Sequence, residues 1–360
     1  MVLVAILLAN LALQGSLLER GRALFAQGES EAARKTLEAA WDQAQTMPRN
    51  DPLRYEVLKE LAQVQESLGE FGDAENYIQR AINWRETALG PEDPGIAVEL
   101  MEVARLCHRR KDYERGLAVL ERVRSMIFRA PSPDQHLLAD VHSRMAEMHA
   151  GLKEPERAMY AFQRAVQLRE QVDGRLHASL LADLERLGAL AIAQRAYDRA
   201  ETAFWRALRI RERIFGLEDP ELLGVLDGLA YALFGQKKYE ETEAAYKRIL
   251  GIWHGSAGPA HPMIALTLDK MTIFYRAQNR ESDAAASVKA GLAVRTQFLA
   301  AGYARQATDD LARGDRAAAR RGFRKALALL DAKEPLHHKL HEQLTGVLAQ
   351  LEPKPARKAR

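Results

Sequence analysis

The chain has a single cysteine, Cys107, in 360 residues, which excludes an internal disulfide and any multi-cysteine zinc site. Net charge is almost absent. The formal +3 is what the last residues carry alone, Lys354, Arg357, Lys358 and Arg360 against Glu352. The rest of the chain balances, unlike the broad basic surface of a dedicated nucleic-acid binder, so no nucleic-acid partner is expected. There is no P-loop, no G-x-G-x-x-G after a strand, and no strand-like segment to carry one, so no cofactor is expected. The apolar opening MVLVAILLANLAL is too short to span a bilayer comfortably. It has the character of a secretory h-region, with small residues at Gln14-Gly15-Ser16, yet no Lys or Arg precedes it and no A-x-A site follows. Residues 1–15 are therefore read as a signal-like or anchor segment, which favours export or a membrane tether over a cytoplasmic location. The alternative is a greasy first helix covering the end of the core. Membrane contact is expected only through this segment, if it is uncleaved.

What is present is a period. LGPEDP at 89–94 returns as FGLEDP at 215–220, and Pro52, Pro94, Pro220 and Pro262 all fall on a 42-residue grid. Small residues follow the same grid without a break at Ala62, Ala104, Ala146, Gly188, Ala230 and Thr272. Twelve residues on run Ala74, Gly116, Ala158, Ala200, Thr242 and Ala284. Four further are the larger Ile78, Leu120, Phe162, Phe204, Tyr246 and Val288, and three beyond those Ala81, Val123, Ala165, Ala207, Ile249 and Gly291. Offsets of 0, 4 and 7 share one helical face. Each unit thus reads as a first helix, a turn, and a second helix whose small–large–small stripe lets neighbouring axes approach closely. Asp51, Asp93 and Asp219, each before proline, are expected to cap first helices, and His261 to cap more weakly. The turn aromatics Phe71, Tyr113, Tyr197 and Tyr239 are expected to pack across their turns.

These positions and the LG-x-x-D/H-P segments resemble the tetratricopeptide repeat, more narrowly the 42-residue repeat of the kinesin light chain. Shorter outer units complete the pattern. Gly21, Gly28, Ala33, Leu37 and Ala40 outline a first repeat, and Ala307, Gly314, Ala319, Phe323 and Ala326 an eighth. The resemblance implies an all-α, right-handed superhelical solenoid of about eight helix-turn-helix repeats over residues 16–335. A C-terminal capping helix follows at 336–351 and a basic disordered tail at 352–360. The segments 129–135 and 172–177 lack the signature, so the third to fifth units are expected to join less regularly. The Gly- and Pro-rich 253–262 is expected to be the most open connection.

In that family the first helices line a concave groove that receives peptides or partner helices. The residues facing inward then include a basic middle, Arg105, His108, Arg109, Arg144 and Arg186, tempered by Glu102, Glu147 and Glu185. Toward the C-terminal half stand Ile192, Tyr231, Phe234 and Ile273, with Arg276. A protein or peptide partner with an acidic stretch and a hydrophobic anchor suits both zones. The plainer alternative is that Arg and Glu pair within the groove and keep it solvated. Asparagines that hold peptide backbone in the kinesin light chain are missing from these positions, so its cargo specificity does not carry over. His337, His338 and His341 have zinc-like spacing but no H-E-x-x-H arrangement, and Cys107 with His149 lacks an oxyanion hole and an orienting third residue. No enzyme is expected. The chain reads as an interaction scaffold, or alternatively as a regulatory subunit or self-assembling solenoid acting through a separate catalytic partner.

Overall fold

A computed structural model describes residues 17–351, so the signal-like segment and the basic tail lie outside the described residues. Among the described residues the structure is all-helical. It comprises two compact units, one ending at Leu187 and the other beginning at Gly188.

The first unit stacks helical hairpins. Helix α1 (17–26) pairs with α2 (Ser30–Ala44), α3 (Pro52–Ser67) with α4 (Phe71–Ala88), α5 (Gly95–Arg109) with α6 (Tyr113–Arg129), and α7 (Gln135–Gly151) with α8 (Pro155–Asp173). Helix α9 (Leu181–Ala193), entered through a 3-10 turn at Ala178–Leu180, carries the unit boundary. In the second unit α10 (Tyr197–Phe215) completes that hairpin, and α11 (Leu223–Gly235) pairs with α12 (Tyr239–Ala257). Then come α13 (Pro262–Arg276), α14 (Glu281–Ala312), α15 (Arg316–Leu329) and α16 (Pro335–Leu351).

Every member of the four periodic series is buried except Val288. The small positions work as close-approach points. A Cβ on Gly188 or Gly228 would strike the Phe204 ring, and one on Gly116 would strike Met148. The two threonines on the grid are buried with their hydroxyls donated back to their own helices, Thr242 to Lys238 O at 2.7 Å and Thr272 to Leu268 O at 2.9 Å.

The turn inside each hairpin is the same device eight times. The residue at the turn is left-handed: Gly28, Gly69, Lys111, Lys153, Arg195, Lys237, Asn279 and Gly314. Its N–H reaches back three residues and the next N–H five, as in Lys111 to His108 O at 3.0 Å and Asp112 to Cys107 O at 2.9 Å. This double bond closes the carbonyl end of the first helix in a Schellman motif. Only three of the eight are glycine. The others carry the strain of a left-handed L-residue, about 1 kcal/mol each, which two satisfied carbonyls offset.

The turn aromatics reach further than their own turns. Tyr113 and Tyr197 press on Gly151 and Gly235 of the following hairpin, where any Cβ would meet the ring, and Tyr239 meets Phe274 at 6.2 Å. Across their own turns Tyr113 lies 5.7 Å from His108 and Tyr239 6.4 Å from Phe234. One ring therefore bonds two hairpins.

Ion pairs repeat with the period. Glu75, Glu201 and Glu243 each follow a small residue at the start of a second helix and pair with Arg110, Lys238 and Arg280 at the next turn, at 2.8, 2.6 and 2.7 Å. Arginines near the ends of second helices reach forward in the same way. Arg85 binds Asp93 at 2.7 Å, Arg169 binds the buried Asp183, and Arg211 binds Glu221 at 2.8 Å. Buried Glu99 accepts from Lys59 at 2.9 Å and from the Tyr55 hydroxyl. Burial of such acids is tolerated because each is met by a cation or a donor.

Three expectations need correction. Asp51 and Asp219 do cap, accepting from Leu53 N at 2.9 Å and Glu221 N at 2.8 Å, and His261 accepts more distantly from Met263 N at 3.4 Å. Asp93 does not cap. Its carboxylate is taken by Arg85, and α5 starts at Gly95 with no side-chain cap. The junction at 172–177 is regular. Gly174 has φ 90°, ψ 164°, matching Gly216 at 95°, 176° and Gly258 at 81°, 167°, and His177 stands where Asp219 and His261 cap. Of the two segments lacking the signature, 130–134 does depart, its turn made with Pro131 and Pro133 before the capping Asp134. The connection at 253–262 is not open, because α12 runs to Ala257 and His261 stacks on Trp253 at 4.6 Å. The periodic series do not foretell that no turn separates the seventh and eighth units, whose second and first helices form the single 32-residue α14.

Candidate partner-binding site

The first unit brings the basic residues of α5, α7 and α9 together. Burial, then Arg186 and Arg144, holds the His108 imidazole below the usual histidine range, so three side chains from three successive first helices share one field. Arg105 is fixed between acids, donating to Glu102 at 2.8 Å and to Glu66 on α3. Arg105 in turn lowers the Glu66 carboxyl, with burial opposing and Arg109 assisting. Arg186 pairs with Glu147. Arg109 lies over the Phe71 ring at 4.9 Å, a cation–π contact. Arg144 has no ion pair among the described residues. The arginines thus divide. Arg105 and Arg186 are held by neighbouring repeats, and Arg144, beside His108, has no such partner among the described residues.

The Arg–Glu pairing that the sequence offers as the plainer alternative is what Arg105 and Arg186 adopt. Glu66 to Arg105 and Glu147 to Arg186 are both 39 residues apart, one helical turn short of the 42-residue period. Opposite charges at that spacing mark cross-repeat pairs on a shared first-helix face.

In the second unit Tyr231 and Ile273 are well exposed, at 51% and 63%, and Tyr231 sits 6.4 Å from the Tyr197 ring. Phe234 is half-buried in an aromatic cluster, 5.8 Å edge-on to buried Phe274, while Tyr246 meets Phe274 at 6.2 Å. It serves the core more than the surface. Ile192 is half-buried and Arg276 exposed at the end of α13. Lys270 of α13 pairs with Asp227 of α11 at 2.5 Å, so these first-helix faces also adjoin.

The other chemistry-bearing residues are occupied. Burial pushes the Cys107 thiol up to about 11, and His149 is held by Glu154 at 2.7 Å. His337 is buried with both ring nitrogens engaged, accepting from Asp331 N at 3.2 Å and donating to Ala293 O at 2.9 Å. Among the described residues no group of three or more His, Cys, Asp or Glu side chains is placed to hold a metal ion. No helix among them is long and apolar enough to cross a membrane.

Residues 184–221, most of the α9–α10 hairpin, match the tetratricopeptide repeat family model. No curated protein matches the sequence significantly. Among solved structures, the C-terminal part of a TPR repeat-containing protein from Cytophaga hutchinsonii is similar at a TM-score of 0.56 and 11% identity, covering 77% of this chain and 95% of that one. The apo form of RapI is similar at 0.50 and 16%, covering 78% and 97%. Kinesin light chain-like repeats from Podosopora anserina align at 0.34 and 17%, covering 67% and 95%. Proteins built from this repeat typically serve as protein-interaction scaffolds and are generally non-catalytic. In repeat and in fold, the chain resembles the tetratricopeptide repeat proteins.

Proposed function

We propose that the chain is a scaffold that binds an acidic segment of a partner protein on the first-helix face of its first unit, at Arg105, His108, Arg109, Arg144 and Arg186. The observation that carries this reading is the clustering of His108 with Arg144 and Arg186, where Arg144 has no ion pair among the described residues. An unneutralised cation beside a neutral imidazole gains from a carboxylate ligand, and the ligand gains a charge-assisted hydrogen bond. Tyr231 and Ile273 of the second unit are exposed apolar side chains suited to anchoring a hydrophobic residue.

The test uses a library of acidic peptides with and without an aromatic residue, measured against the intact protein and Arg144→Glu. Arg144 supports no structural pair, so its reversal is expected to leave helicity intact and weaken acidic-peptide binding by at least about ten-fold, or 1.4 kcal/mol. Equal binding by both proteins would move the site off this face. The pH dependence follows from the lowered His108 value. A bound carboxylate favours the imidazolium, so binding takes up a proton and affinity rises as pH falls toward the lowered value of the free imidazole. Titrations in two buffers of different ionisation enthalpy would read that proton, and its loss in His108→Gln would confirm the source. Concentration-dependent sedimentation of the free protein would instead favour self-assembly.

A further inference from the structure

In the first unit a cleft of about 310 Å³ lies between α2, the segment before α3, and α4. Trp41 and Trp84 wall it, Leu58 lies beneath, and Arg49, Arg54 and Arg80 surround it, with no carboxylate in the lining. Elsewhere in this unit arginines such as Arg22, Arg85, Arg105 and Arg169 are met by acids. Here none of the three has an ion pair among the described residues. Arg54 is committed to the end of α2, donating to Ala44 O at 3.1 Å and Gln45 O at 3.2 Å. Arg80 lies over the Trp41 ring at 4.3 Å, and Arg49 is exposed. The indole N–H of Trp84 is buried without an acceptor.

Three like charges that share one cleft raise one another's energy. An oxyanion relieves that crowding, since guanidinium groups bind phosphate and carboxylate in bidentate fashion. The tryptophan walls add a surface that favours a flat apolar body. The volume lies at the lower end of small-molecule sites, roughly 300–1,000 Å³, which suits a single substituted ring rather than a peptide.

We propose that this cleft binds a small organic anion, a phosphate or carboxylate joined to a planar ring. The test is calorimetric titration of the full chain with adenosine monophosphate, indole-3-acetate, adenosine and inorganic phosphate. Micromolar to submillimolar binding of either ring-bearing anion is expected, with adenosine and inorganic phosphate at least about ten-fold weaker, 1.4 kcal/mol. Whichever of the two binds more tightly tells phosphate from carboxylate. Arg49→Gln removes an exposed charge with no structural bond and is expected to weaken binding several-fold with an unchanged thermal midpoint in the absence of ligand. Trp84→Phe keeps a ring but shortens the aromatic wall and is likewise expected to weaken binding several-fold. Failure of both ring-bearing anions to bind would overturn the proposal. So would inorganic phosphate binding as tightly as they do, or affinity unchanged in the Arg49→Gln/Trp84→Phe double variant.

Discussion

Two junctions of the second unit, 42 residues apart, behave oppositely. At 258–261 the chain leaves α12, turns through Gly258, and starts α13 under the side chain of His261. The matching positions 300 and 303 hold Ala300 and Tyr303, and there the helix continues unbroken through α14. Gly258 occupies φ 81°, ψ 167°, a region essentially restricted to glycine. Alanine at that register removes the option to turn and is itself the best helix former. A period in the small residues is therefore not enough to make a repeat. The junction residue decides whether two helices fold back or fuse.

Packing records the consequence. Tyr246, the large member of the stripe on α12, is 5% exposed because α13 folds back over it, whereas Val288 at the same register on α14 is 44% exposed. The sharpest way to break the comparison is Tyr246→Ala against Val288→Ala. The first is expected to cost about 3–5 kcal/mol by emptying an aromatic core site. The second, already half in water, should cost under about 1 kcal/mol. Denaturant titration with unchanged slope reads both, and equal losses would mean Val288 is covered in solution.

The junction residues give the next largest effect. Gly258→Ala places a Cβ in the left-handed region and is expected to cost about 1–3 kcal/mol, with the midpoint of thermal unfolding as the measure. Ala300→Gly is expected to cost only about 1 kcal/mol, the usual price of glycine inside a helix. If Ala300→Gly cost more than Gly258→Ala, the turn at 258 would not need its glycine. The smallest effect is at the caps. Asp219→Ala loses one bond to Glu221 N and is expected to cost about 1 kcal/mol.

Much of this architecture was legible because periodicity reports packing directly. The small–large–small stripes name the buried faces, and all but Val288 are buried. The exception was hidden because Val288 satisfies the stripe, and only the missing glycine twelve residues later betrays the fused helix. The left-handed turn positions were also hidden. Lys111, Lys153, Arg195 and Lys237 carry no residue-type signal for positive φ, since the Schellman bonds are made by backbone atoms. Asp93 misled for a different reason. A cap is a local reading, and Arg85 from the preceding helix competes for the same carboxylate. At the candidate site the residue types and their shared face could be read from helical spacing. Which arginines remain unneutralised could not, because Glu66 and Glu147 lie a repeat away in sequence.

The left-handed turn has a consequence for how such a chain changes length. Because every hairpin closes its own first helix with backbone bonds alone, a 42-residue module can be duplicated or lost between two glycine junctions without new side-chain agreements inside the turn. Between Glu281 and Ala312 that freedom is absent, because the fused helix offers no seam and His337 of α16 is tied to Ala293 within it.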